Sequence, residues 1–217
     1  MRIQNQKKLV AATCLIVTVF AGCSNAAVAF GNTMKIGEVT PTSAIVWTRL
    51  TARADLNREG IAWPKWSIQK CIANPLAVPK GKTLADMSGA MPGAAGKVRL
   101  TIKAPDGTNA YQSEYVPVDP SRDYTKQFKV TGLKPGTKYR VQLAATPLKQ
   151  VAVAALQSGT ITTAPKAGVV KPITFVAVTG QRFDTIDTPQ GPQSYKSMAA
   201  LKPAFFVHTG DILYYDK

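Results

Sequence analysis

The stretch FKVTGLKPGTKYRVQL, Phe128 to Leu143, decides how most of this chain is read. It runs from YTKQFKV through TGLKPGT into KYRVQLAA, where Tyr139, Val141 and Leu143 alternate with charged and polar residues. A period of two puts those three side chains on one face of an extended strand. Pro135-Gly136 supplies the turn chemistry between the two runs. Strand, tight corner and strand follow from this alone.

The same grammar extends outward from the corner. SAIVWTRL (Ser43–Leu50) is rich in β-branched and aromatic residues, with Pro41 closing the turn before it. KVRLTIKA (Lys97–Ala104) alternates strictly, with Val98, Leu100 and Ile102 on one side and Arg99, Thr101 and Lys103 on the other. Asp106-Gly107 gives a turn before AYQSEYVPV, expected to be one further strand, and SGTITTAP closes the series. Many short strands between Gly, Pro and Asp signals indicate a β-sandwich. The corner itself, with Leu before Pro-Gly-Thr and Tyr after it, resembles that of fibronectin type III domains. That likeness implies a Tyr139 that packs the corner, and implies nothing about activity.

Between Leu56 and Gly96 the periodicity is lost among two Trp, several Pro and small residues, which reads as an insertion. KWSIQ (Lys65–Gln69) is expected as one strand within it. Trp63 and Trp66 are expected to cap the sandwich core, with an aromatic ligand platform as the alternative.

The N-terminus has the pattern of an export signal. Arg2, Lys7 and Lys8 precede an apolar stretch from Leu9 to Gly22, too short for a comfortable membrane span. Two cleavage sites compete. Phe20-Ala21-Gly22-Cys23 resembles a bacterial lipobox, which implies lipidation of Cys23 and a membrane anchor, whereas Ala27-Val28-Ala29 would release a soluble chain starting at Phe30. The signal is assigned to residues 1–29, and the product is expected in the periplasm, on the outer membrane or outside the cell. Of three cysteines, Cys14 lies in the apolar stretch and Cys23 at the lipobox, so Cys71 has no intramolecular disulfide partner.

The chain has 27 Lys and Arg against 12 Asp and Glu, a formal net charge of +15. Discounting the three N-terminal cations leaves it strongly basic, which favours anionic partners such as phosphate esters. The cations are dispersed and accompany no nucleic-acid motif, so no nucleic acid is expected as a partner.

After the linker Ala164-Pro165-Lys166-Ala167-Gly168 the pattern changes. ITFVAVTG (Ile173–Gly180) is a continuous apolar run, as in a strand buried on both faces. PQSYKSMAALKP places Tyr195, Met198 and Ala199 at helical spacing before Pro203. AFFVHTGD is a second such strand. The order predicts a right-handed β-α-β unit. One such unit cannot cover both of its faces, so the unit is expected to be truncated.

Ligands of parallel α/β sheets bind at the carboxyl ends of the strands. Those ends read VTGQRFD and HTGDILYY, and each carries a Gly that lets the backbone approach a ligand. Asp211 is a hard oxygen donor at a strand tip, and Tyr214 stands three residues on. A carboxylate with a phenolate suits trivalent iron or a mixed-metal centre. Gln181 and Asp184 offer weaker oxygens, and the fork of Arg182 suits phosphate oxygens. Alternation along the strand turns His208, the one histidine, away from the Asp211 side.

FFVHTGDILYY resembles the Gly-Asp block of calcineurin-like metallophosphoesterases, and more narrowly that of PhoD-type alkaline phosphatases and their purple acid phosphatase relatives. A sandwich with a SAIVWTRL-like strand ahead of the phosphoesterase domain is similar to the order in PhoD-like enzymes. The resemblance implies a metal-dependent hydrolase of phosphate esters using divalent or mixed ions, iron with calcium or zinc. It assigns the bridging carboxylate to Asp211 and the Tyr ligand to Tyr214. Where that type carries a Ser-Cys-Gln-like stretch whose Cys binds iron, this chain has Thr179-Gly180-Gln181. The later Asn-His and His-x-His blocks have no counterpart.

The expected architecture is therefore mainly β: a fibronectin type III-like β-sandwich over residues 30–165, with the insertion at 56–96, followed at 166–217 by the first β-α-β unit of a truncated α/β metallophosphoesterase domain. The expected function is that of the N-terminal portion of an exported PhoD-like phosphatase or phosphodiesterase, inefficient alone. The alternative is a non-catalytic surface lipoprotein with a fibronectin-like binding module and a vestigial tail.

Overall fold

The computed structural model of the chain describes residues 28–64, 78–181, 187–188 and 191–212, and in it the quoted corner is organised around Tyr139. The strands are β1 (Met34–Gly37), β2 (Ser43–Arg49), β3 (Gly96–Lys103), β4 (Asn109–Gln112), β5 (Val116–Pro117), β6 (Thr125–Thr131), β7 (Lys138–Pro147), β8 (Ala155–Thr162), β9 (Phe175–Val178) and β10 (Phe205–His208). The α-helix among the described residues is α1 (Gln193–Ala200). No described helix is long and apolar enough to cross a membrane.

β1 to β8 form two antiparallel sheets with strand orders β1-β2-β6 and β4-β3-β7-β8. β5 lies on the same edge of β3 as β4, at its other end. The alternation in KVRLTIKA is realised in full, since Val98, Leu100 and Ile102 are all completely buried. They meet Ala44 and Val46 of β2, Phe128 and Val130 of β6, and Tyr139, Val141 and Leu143 of β7 in one cluster. Residues of both sheets sharing one core is what makes the pair a sandwich. Each fully buried Val, Leu or Ile contributes about 1.5–3 kcal/mol through the apolar surface it removes from water.

At the corner, the hydroxyl oxygen of Tyr139 accepts a hydrogen bond from the Lys134 backbone N–H at 2.7 Å. A tyrosine hydroxyl bound to backbone a few residues upstream is the tyrosine corner of sandwich folds. Thr163 joins the corner to the end of β8, as its Oγ1 donates to the Lys134 carbonyl at 2.6 Å and accepts from Thr137 N–H at 2.9 Å. Gly136, at φ +59°, provides the left-handed turn between them.

AYQSEYVPV departs from the single strand expected of it. It divides into β4 and β5 because Ser113 bonds to β3 through its side chain, its Oγ accepting from Leu100 N–H at 3.0 Å. In the resulting gap, the Arg99 guanidinium carbon lies 4.5 Å from the centre of the Tyr115 ring.

One cation organises the opposite end of the sandwich. Arg49 is nearly buried, with a side chain 13% exposed. Its Nε and Nη2 bind both oxygens of Asp123 at 2.9 and 2.8 Å, and its Nη1 donates to Asn32 Oδ1 and the Met91 carbonyl. The Asp123-Tyr124 pair is left-handed, at φ +51° and +58°, and turns the acid toward Arg49. The Tyr124 ring lies where a side chain at Gly93 would be, so residue 93 must be glycine.

The core also takes in the first described residues. Val28 and Phe30 are 5% and 7% exposed. Between them Ala29 exchanges two backbone hydrogen bonds with Thr51, at 2.8 and 3.0 Å.

In the insertion, Ile61 bridges to Met87, which is fully buried. Trp63 lies outside the core that it was expected to cap. It is 47% exposed and ties the two limbs of the insertion by donating from Nε1 to the Ser88 carbonyl at 2.8 Å. KWSIQ and Trp66 lie outside the described residues.

β9 and β10 pair in parallel, Phe175 opposite Phe205 through Val178 opposite His208, with α1 between them in sequence. These strands are not buried on both faces. Phe175, Phe205 and Phe206 are 56%, 49% and 44% exposed, and no third strand among the described residues extends this two-stranded sheet.

Candidate functional site

Beyond the last rung of β9 and β10, hydrogen bonding continues for three residues on each side. Thr209 N–H donates to the Val178 carbonyl at 2.8 Å, Gly180 N–H to Gly210 at 3.3 Å and Gln181 N–H to Asp211 at 2.8 Å. Thr179 Oγ1 donates to the Gly210 carbonyl and Thr209 Oγ1 to that of Val178. Thr179–Gln181 and Thr209–Asp211 thus form one paired corner at the carboxyl ends of the strands. Gly180 and Gly210 have φ of +70° and +143°, conformations that a side chain would strain. Asp211 itself adopts φ +53°, a left-handed conformation that Asp tolerates better than most residues.

Two of the expected site residues, Gln181 and Asp211, are therefore adjacent through their backbones. Tyr214, Arg182, Asp184, Cys23 and Cys71 lie outside the described residues. Gln181 has a partner that the sequence did not signal, for its Oε1 accepts from the Tyr195 hydroxyl of α1. The Tyr195 ring packs on Phe206, 5.7 Å between centres, and Phe206 is followed on the same face by His208 at 6.2 Å. His208 turns back on its own strand end, and its Nδ1 accepts from Gly210 N–H at 3.5 Å. Its Nε2 is buried with no hydrogen-bond partner among the described residues.

Among the described residues no three His, Cys, Asp or Glu side chains lie together as metal ligands would. A two-metal centre needs several protein ligands for each ion. Asp211 with Gln181 does not by itself fit one.

A second concentration of functional groups covers the solvent face of β3, β7 and β8. Lys103 stands directly opposite Arg140 across the β3–β7 ladder, and Arg140 opposite Thr160 across β7–β8. A cleft of about 520 Å³ opens over them, lined also by Gln142, Ser158 and Gly107.

The N-terminal domain of PhoD-like phosphatases matches residues 19–165, and the chain belongs to that family. Among solved structures, that of PhoD is similar over 88% of this chain and 29% of its own, at 19% identity and a TM-score of 0.57. The chain thus spans less than a third of the length of that protein. A two-domain fibronectin type III segment from chicken tenascin is similar over 65% of this chain and 51% of its own, at 18% identity and TM-score 0.30. The sensor domain of an anti-sigma factor from Pseudobacteroides cellulosolvens is similar over 61% and 92%, at 14% identity and TM-score 0.31. No curated protein matches. The PhoD likeness establishes a shared fold, and the two weaker ones add nothing to it.

Proposed function

We propose that the chain is the front portion of an exported PhoD-like phosphatase or phosphodiesterase, and that Thr179–Gln181 with Thr209–Asp211 begins its metal-binding corner. The observation that carries this is the 2.8 Å bond from Gln181 N–H to the Asp211 carbonyl, which joins the two tips where parallel sheets bind ligands. Membership of the family and a fold likeness extending over 88% of the chain support it.

In this reading Asp211 is a metal ligand and Tyr214 joins it from three residues on. Iron with calcium or zinc suits that pair, and bound metals would supply Lewis acidity and a strong nucleophile at neutral pH. Gln181 is a weaker ligand of the same corner. Tyr195 donates to one lone pair of its amide oxygen, which leaves the other for a metal and the NH₂ group as a donor to a substrate phosphate oxygen. The 217-residue chain lacks the donors for efficient turnover and contributes the first wall of the site.

Export with lipidation at Cys23 is part of the proposal. Cleavage after Ala29 would delete both bonds to Thr51 and leave a charged ammonium on Phe30, which is 7% exposed. Burying an unpaired charge is strongly unfavourable. Cleavage before Cys23 keeps Val28 and Ala29.

The gene downstream of Lys217 is expected to encode Asn-His and His-x-His blocks. In that longer product, Asp211→Asn should abolish phosphate ester hydrolysis and lower metal content measured by elemental analysis. Unchanged turnover would remove Asp211 from the site. If no such blocks follow and the purified chain takes up no iron, calcium or zinc, the non-catalytic surface lipoprotein is the better reading.

A further inference from the structure

The eight sandwich strands contain nine Lys or Arg and not one Asp or Glu. On the outer face of the five-stranded sheet this produces an unusual pair, Lys103 directly opposite Arg140. Like charges directly opposite one another on a sheet repel, so such a pair is a defect unless something anionic sits between them. No described carboxylate does so. The described ion pairs belong to Arg49 with Asp123 and Arg122 with Asp119. Asp106, in the adjoining turn, accepts from the Thr108 N–H and Oγ1 on its Oδ1 and forms no ion pair with Lys103 or Arg140. Arg99, on the same face, is stacked on Tyr115.

We infer that the cleft over Lys103 and Arg140 is a binding site for a phosphate monoester. The Arg140 fork matches two phosphate oxygens, and Lys103 adds a second charge for a dianion. Gln142, Ser158 and Thr160 line the same cleft on exposed positions and make no side-chain hydrogen bond to described residues, so their donors remain available. About 520 Å³ exceeds what a bare ion fills and falls within the range of small-molecule sites, leaving room for the organic part of an ester. This inference goes beyond the proposed metal corner and does not rest on it, since every residue named belongs to the sandwich.

The test is titration of the ¹⁵N-labelled 217-residue chain with inorganic phosphate at low salt, followed by amide NMR. Shifts should concentrate at Lys103, Arg140, Gln142, Ser158 and Thr160. The Lys103→Gln/Arg140→Gln double variant should bind about tenfold more weakly or worse, while Lys35→Gln/Lys129→Gln on the other sheet binds as before. Because the double variant also removes the repulsion, it should melt at or above the temperature of the parent, which rules out misfolding as the cause of lost binding. A parallel arm uses phosphatidylcholine vesicles containing phosphatidic acid, whose headgroup is a phosphate monoester. Vesicle binding lost in the same double variant would assign the phosphate to a lipid headgroup. Shifts spread over all basic surfaces, or equal affinity in parent and double variant, would overturn the site.

Discussion

The Lys134 N–H and the Tyr139 hydroxyl oxygen lie 2.7 Å apart across a corner in which Leu133, just before Lys134, is 3% exposed. One hydroxyl thus satisfies the backbone of a turn that the sheets leave unpaired. Tyr139→Phe keeps the ring in the core and removes the acceptor. It should destabilise the sandwich by about 1–2 kcal/mol, since a partly buried donor loses its partner. Urea denaturation measures this, and an unchanged midpoint would mean that water replaces the hydroxyl.

Arg49 joins residues distant in sequence: Asn32, Met91 and Asp123. Arg49→Lys keeps the charge and cannot reproduce the planar fork, so it should lose most of what Arg49→Ala loses. Because Asp123 is 69% exposed, solvent weakens the ionic part, and a loss of about 2 kcal/mol is expected for either variant. Thermal melts of the two should nearly coincide. A lysine variant as stable as the parent would show that charge alone suffices.

Acid sensitivity should arise in the turns. Hydrogen bonds from Thr83 hold the Asp86 carboxyl below its ordinary value, those from Thr108 do so for Asp106, and those from Ser121 for Asp119. Folding therefore favours the ionised form of each. The stabilisation is present above the unfolded carboxyl value of about 3.9 and is lost as pH falls through the lower folded values. Melting temperature should drop below about pH 4, and the triple Asp→Asn variant should show a shallower drop. Equal slopes would exclude these three turns as the cause.

The N-terminal residues make a separate prediction. A chain starting at Ser24 should be more stable than one starting at Phe30 by about 2–4 kcal/mol, the burial of Val28 plus two backbone bonds. Mass spectrometry of the exported protein should find Cys23 as the first residue, with added lipid. A mature N-terminus at Phe30 would refute the lipoprotein assignment.

The sandwich was legible where side chains alternate, because a period of two is imposed by the strand itself. KVRLTIKA and KYRVQLAA needed no tertiary information, and the tyrosine corner was visible as a Tyr a few residues after Leu-Lys-Pro-Gly. The break in AYQSEYVPV was not, since it depends on Ser113 meeting Leu100 from another strand. Arg49 and Asp123 are 74 positions apart, and no local pattern links them. At the candidate site, the convergence of the strand tips followed from the β-α-β order. The engagement of Gln181 by Tyr195 did not, because it depends on how the loop closes and on the rotational phase of the helix. The Lys103–Arg140 pair required the register of β3 against β7, although alternation had already placed Lys103 on the outer face.

The exposed pairing of β9 with β10 implies a gradient of local stability along the chain. Its first rung joins Phe175 to Phe205, thirty positions apart, and four rungs with the short paired corner beyond them must offset the entropy of closing that loop. β3 and β7, by contrast, share eight rungs over a buried core. Amide hydrogens of β9 and β10 should therefore exchange with solvent through local opening, long before those of β3 and β7, which wait for global unfolding. The corner that carries Asp211 should thus open before the sandwich does.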